Sequence, residues 1–303
     1  TPPGKGRSGL RDDQHKDGKN ARQVVKWLED KSYGDKPFFI SLGLQKPHVP
    51  FLAPDKYFDL YPFDKITYQN DRPNLWNFLP SSALSKRYEA FGFEFAKENH
   101  PLRKEYMQAY HACVSFIDAQ LGLVMDSLKK EGIWDDTIII FTSDHGYHLG
   151  DHFIWGKVTL FDIGAKVPFI VRAPGLSKSG TASEAMVELI DIYPTLADLA
   201  GLQAPGHLQG ISLRPLLGHP ERLGKRKYAY SVVTRGSKDL GYALRNQNWR
   251  YGKWPNGEEL YNLRTDPQEK NNLAQKDHLK ERLEQFREIL SVKQENVRKL
   301  TKN

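Results

Sequence analysis

Asp144, His145, His148, Asp151 and His152 crowd into one short stretch, with Gly146 and Gly150 between them. Carboxylates and imidazoles are cation-ligating side chains. An oxygen-rich set favours Ca²⁺ or Mg²⁺, while imidazole nitrogen draws the choice toward Zn²⁺, Mn²⁺ or similar ions. Asp144 and His145 are adjacent and followed by glycine, so they can aim two donors at one ion. His148, Asp151 and His152 suit groups behind such donors, or a solvated turn. Two donors do not complete a site, and a hydrogen-bonded strand end without metal would use the same residues.

Two more groups could act beside them. Lys157 follows about a dozen residues on, flanked by Trp155, Gly156 and Phe161. These neighbours suggest a partly enclosed ammonium, suited to holding an anionic oxyacid group. His48 lies between Pro47 and Pro50, which restrict the backbone around it. A rigidly presented imidazole exchanges protons near neutral pH; a structural histidine in a proline-rich turn is the other reading. The single cysteine, Cys113, falls in a helical apolar pattern and reads as a small core residue.

Positioning such groups requires strand ends. Ile138, Ile139, Ile140 and Phe141 form a continuous apolar run just before Asp144. This suits a strand covered on both faces in a parallel sheet, and open α/β sheets bind ligands beyond the carboxyl ends of their strands. A second apolar run, 37–44, ends at the His48 loop, and a third strand is expected at 167–172. Helices are expected at 20–30, at 103–131 through Tyr106, Tyr110, Val114, Ile117, Leu121, Val124 and Leu128, and at 189–200. One or two helical turns fit 55–61, and 62–101 is an aromatic-rich excursion without clean periodicity. The alternation of helix and strand predicts an α/β fold with a largely parallel central sheet flanked by helices. From about 218 the texture changes to short strands at 228–233, 241–245, 250–254 and 259–262, then a helix at 276–299. The reading is therefore a first domain over 1–220, and a small C-terminal antiparallel sheet plus helix over 221–303.

Composition narrows the class. With 303 residues, 39% hydrophobic and 27% charged, the chain has the make-up of a globular protein with an ample core. No apolar run approaches the roughly 18–20 residues of a membrane span. The net charge of +7 favours anionic partners. The polar opening shows no signal-peptide pattern and reads as a loop within a longer chain, so residues upstream are expected.

Taken together, these segments resemble the sulfatases of the alkaline-phosphatase-like superfamily. The resemblance is carried by 143–152 with Trp155, Gly156, Lys157, Phe161 and Asp162; by the loop Lys46, Pro47, His48, Val49, Pro50 and Phe51; by Asp191 to Leu196; and by 259–273. It covers about 21–290. His145, where many arylsulfatases carry Asn, brings the likeness to the iduronate-2-sulfatase branch. The resemblance implies that Asp144 and His145 ligate one Ca²⁺ and that Lys157 contacts a sulfate oxygen. It implies that His48 touches the sulfate or assists departure of the sugar oxygen. Lys46 and Lys238 would bind substrate, Lys238 facing a uronate carboxylate. The partner implied is a sulfated, glycosaminoglycan-type saccharide rather than nucleic acid, and the setting extracytoplasmic: periplasmic, secreted or lysosomal.

One departure stands out. Sulfatases use a formylglycine made from Cys or Ser in a Cys/Ser-x-Pro-x-Arg motif, and no such motif occurs here; Val114, Ser115, Phe116 and Ile117 follow Cys113. Asp12 and Asp13 form a tempting metal-binding pair but lie in the wrong place for the family's, just before the 20–30 helix. The nucleophile is thus expected upstream, and this chain alone is expected to be inactive. A related phosphoester or phosphonate hydrolase, and a non-catalytic sulfated-glycan-binding homologue, are the alternatives.

Overall fold

The computed structural model describes residues 4–68, 74–84, 91–94, 97, 100–236 and 239–300. They form two compact units interleaved along the chain: 1–70, 87–137 and 149–153 in unit 1, and 71–86, 138–148 and 154–303 in unit 2.

Unit 1 contains β1 (Lys5–Arg7), α1 (Lys16–Glu29), β2 (Phe51–Ala53), α2 (Asp55–Phe58) and α3 (His100–Lys130). β1 and β2 pair in parallel, with Lys5 opposite Phe51. α1 buries Ala21, Val24 and Leu28, as its 3.6-residue pattern predicts, and leaves Trp27 exposed. It starts four residues before the expected 20, because Asp17 and Gly18 are both buried in its first turn. A side chain at Gly18 would meet the Asp12 carbonyl oxygen at 1.8 Å.

α3 is the expected long helix, but another stripe faces inward. Tyr106, Met107, Ala109, Ala112, Cys113, Phe116 and Leu128 are buried, whereas Val114 is exposed. A helix this long offers several apolar stripes, and aromatic partners decide among them. Phe51, Phe91 and Phe93 pack around Tyr106, and Tyr57 lies against Phe116. Cys113 is a core residue as expected, and burial pushes its thiol up to about 12. The strand expected at 37–44 is absent among the described residues. The segment carries no strand ladder there, and Phe39 is 80% exposed.

Unit 2 begins with β3 (Ile139–Thr142). β4 (His148–Leu149) follows at a unit boundary, then β5 (Trp155–Gly156), α4 (Asp162–Ala165), β6 (Phe169–Arg172), α5 (Ile192–Leu199) and α6 (Arg214–Leu217). β3 pairs with β6, and this ladder is antiparallel, with Ile139 opposite Arg172. A parallel neighbour requires a crossover, usually helical. Here the connection holds only the two-residue β4 and β5 and short helical turns such as α4, with no crossover helix, and β6 returns in the opposite direction. The two faces are incompletely covered, and Ile170 is 59% exposed.

The C-terminal part matches its reading closely. β7 (Ala229–Arg235), β8 (Asp239–Arg245), β9 (Trp249–Trp254) and β10 (Gly257–Asn262) form one antiparallel sheet in the order β10-β9-β8-β7. α7 (Lys280–Leu300) lays Leu283, Phe286 and Leu290 on Leu244, Tyr251 and Leu260 of that sheet. Gly241 is needed where it stands, since a side chain there would strike the Trp254 ring at 2.3 Å.

Arg287 ties α7 to the sheet by donating to both carboxylate oxygens of Glu258. Hydrogen bonds from Arg287 and Tyr251 hold the Glu258 carboxyl down at about 2. This pKa lies below the ordinary 4.5, so the pair's stabilisation is complete above pH 4.5 and is lost as pH falls toward 2. Discounted for the exposure of Arg287, it is worth about 1–2 kcal/mol. Urea midpoints measured from pH 6 to pH 2 are expected to fall less steeply in Glu258→Gln than in the parent chain.

Candidate functional site

In unit 2 the loop after β3 presents the expected cation ligands. The Asp144 side chain is 82% exposed and that of His145 32%. Asp144 Oδ1 accepts the His145 N–H at 3.0 Å. His145 Nδ1 lies 2.8 Å from the Gly146 carbonyl oxygen. A carbonyl only accepts, so Nδ1 carries a proton and Nε2 is the nitrogen turned toward Asp144. That nitrogen faces Asp144 Oδ2 at 3.3 Å. With no proton on Nε2 both atoms can ligate one cation, and a backbone carbonyl on the far nitrogen is the usual orienting partner of a ligating histidine. Among the described residues, no three His, Cys, Asp or Glu side chains gather to hold a metal. Ca²⁺ takes about six to eight oxygen ligands. The pair therefore fits one edge of a cation's shell and does not make a Ca²⁺ site by itself.

The Lys157 loop is stitched to this one. The Gly146 N–H donates to the Gly164 carbonyl at 3.0 Å, and His148 Nε2 lies 2.7 Å from Thr159 Oγ1. Neither glycine has room for a side chain: a Cβ on Gly146 would sit 2.0 Å from the Ile163 carbonyl oxygen, and one on Gly164 2.3 Å from Thr159 Oγ1. His148 is wholly buried in unit 2, and His152, which belongs to unit 1, is nearly so, which leaves neither on a solvated turn. Asp151 accepts the Leu149 N–H at 3.2 Å. Lys157 is half-buried, between Gly156 at φ +126° and Val158 at φ +66°. A β-branched residue rarely adopts positive φ, so the backbone is strained where it presents the ammonium. Among the described residues that ammonium has no hydrogen bond or ion pair, which leaves it available to an anion.

α4 is anchored from the C-terminal sheet. Glu269 accepts the Asp162 N–H at 2.6 Å, and Arg245 Nε reaches the Asp162 carboxylate at 3.2 Å. Glu269 is itself buried against Arg250. Burial pushes its carboxyl up to about 7, and the adjacent Arg250 pulls the other way. Thr159, Gly164, Arg245 and Glu269 carry no ligand-type signal in sequence; only Gly146, between the ligand pair and His148, hints at close backbone contact.

His48 belongs to unit 1. It is exposed, and its Nδ1 lies 2.8 Å from the Val49 carbonyl oxygen, which makes Nε2 the outward nitrogen. Lys46, expected on substrate, turns its ammonium to the carbonyls of His48 and Pro50. Asp12 is engaged by Lys56, Tyr57 and Gln120. Lys238 lies outside the described residues.

Comparison with known proteins gives this geometry a context. The profile of the family described as Sulfatase matches residues 3–202, and that described as N-sulphoglucosamine sulphohydrolase, C-terminal, matches 150–296. A sulfatase of Formosa agariphila is 36% identical over 88% of this chain and 52% of its own length. The iduronate 2-sulfatase of Homo sapiens is 29% identical over 78% of this chain and 56% of its own. The crystal structure of the phosphonate monoester hydrolase of Agrobacterium radiobacter superposes with a TM-score of 0.83 and 26% identity, covering 97% of this chain and 64% of that one. The chain thus spans about half the length of the curated relatives it matches.

The stitch predicts a specific sensitivity. Gly146→Ala forces its Cβ against backbone and is expected to cost about 1–3 kcal/mol. It should also shift the His145 ring signal in ¹H–¹³C spectra more than that of His207; thermal unfolding and those spectra check both.

Proposed function

Because the chain belongs to the sulfatase family, with its α/β fold, we propose that it supplies the sulfate-holding part of a sulfuric ester hydrolase acting on a sulfated sugar. The observation that carries this reading is the half-buried Lys157 ammonium, unpaired among the described residues, on a loop stitched to the Asp144–His145 pair. A fixed cation beside a cation-binding edge suits an anionic oxyacid ester, whose oxygens gain charge as the S–O bond breaks.

Each residue then has a task. Lys157 donates to a sulfate oxygen. His48 Nε2 takes up a proton and, once protonated, delivers it to the departing sugar oxygen. Asp144 and His145 contribute two donors to a cation. In sulfatases that ion is Ca²⁺, which would add positive charge beside the sulfate; among the described residues no further donors gather with the pair, and the sequence holds no Cys/Ser-x-Pro-x-Arg motif, so no step is assigned to them. Lys238 is proposed to face a uronate carboxylate. We keep 1–220 as the catalytic portion and 221–303 as a small C-terminal subdomain, and place the protein extracytoplasmically. No described helix is long and apolar enough to cross a membrane.

The finer substrate reading, iduronate 2-sulfate, draws on His145 and the human relative, while the second family profile draws toward a sulfated amino sugar. A phosphonate monoester is the other ester class, favoured by the superposition on the Agrobacterium enzyme.

Titration calorimetry tests the proposal. The chain is expected to bind a 2-O-sulfated uronate disaccharide, and Lys157→Ala to bind it about tenfold more weakly, as for a lost charged hydrogen bond. Equal binding by both proteins, or turnover of 4-nitrophenyl sulfate by the chain alone, would count against it. Tighter binding of methylphosphonate monoester than of the sulfated sugar would favour the second reading.

A further inference from the structure

The His48 loop is held by two sets of hydrogen bonds from groups that the proposed chemistry does not use. Asp17, in the first turn of α1, is 2% exposed. Its two carboxylate oxygens accept the backbone N–H groups of Gln45 at 2.8 Å and Lys46 at 2.9 Å, one each. A carboxylate removed from water needs such donors, and here both come from one remote segment rather than from its own helix. Asn20, one turn along α1, adds a bond from its side-chain amide to the Gly43 carbonyl at 3.0 Å. Lys46 itself folds back, and its ammonium donates to the carbonyls of His48, at 3.1 Å, and of Pro50. Burial lowers the Lys46 pKa, and Asp17 is among the charges that oppose this. The loop closes on itself where the His48 N–H reaches the Gln45 carbonyl at 2.9 Å. With Nδ1 on Val49, only Nε2 of His48 is left facing outward.

We propose that Asp17 and Lys46 are positioning residues that latch the 45–50 loop and so set the direction of His48 Nε2. Lys46 acts through the loop rather than on the substrate. The latch is read from unit 1 alone. Its catalytic meaning rests on the proposed role of His48 toward sulfate, and the experiment separates the two.

Histidine-ring ¹H–¹³C spectra of the full 303-residue chain would be titrated with inorganic sulfate in the parent, D17N and K46M, with thermal midpoints as the control for folding. Asn at 17 keeps the shape but turns an N–H₂ toward a backbone N–H. Both variants are expected to displace or broaden the His48 ring signal while that of His207 stays put. His48-detected sulfate affinity should fall about tenfold, the size of effect that a slight misplacement of a reacting group produces. An unchanged His48 signal in the folded variants would overturn the latch. A parent His48 that ignores sulfate, while its signal still moves in D17N, leaves the latch standing and removes the sulfate reading. Should D17N not fold, the K46M spectra decide: a shifted His48 supports the latch, and an unshifted one overturns it.

Discussion

Unit 2 depends on one close approach, the Gly146 amide against the Gly164 carbonyl with no space for a side chain at either residue. That contact fixes how far the loop after β3 stands from the loop that carries Lys157. It is maintained from below: Arg250 meets Glu269, Glu269 holds the Asp162 amide, and Arg245 holds the Asp162 carboxylate at the start of α4. The C-terminal sheet is therefore more than an attachment. Its buried charges are the footing of the segment that presents the site.

Such a footing has an electrostatic logic. Glu259 is wholly buried, and Arg250 and Glu269 are nearly so. Breaking one partner of a buried cluster leaves an uncompensated charge, which costs more than the intact cluster contributes. Trp254 and Tyr261 spend their polar hydrogens on Glu259, so the aromatic wall and the charges are locked together.

Much of this was legible in sequence where periodicity and residue chemistry agreed. The four C-terminal strands are short pieces separated by turn residues, and α7 shows its Leu283, Phe286 and Leu290 stripe, so both were read correctly. Asp144, His145 and Lys157 stood out because ligand-type side chains beside glycine are uncommon. Other features were hidden. The first turn of α1 is polar and contains Gly18, so its tertiary role overrides helix propensity. The inward face of α3 is chosen by Phe51, Phe91 and Phe93, far away in sequence. The apolar run at 37–44 promises a strand, yet a strand exists only where a ladder partner meets it. Asp17 was invisible for a simpler reason: a lone acid in a charged stretch looks solvated until its two amide donors are seen.

Cys113 gives the molecule a built-in clock. It is the only thiol in the chain, it lies wholly inside unit 1, and burial raises its pKa to about 12. Alkylating reagents attack the thiolate, so labelling must wait for the α1–α3 core to open. The rate at which iodoacetamide modifies this one sulfur therefore reports how often unit 1 breathes, free of any signal from unit 2.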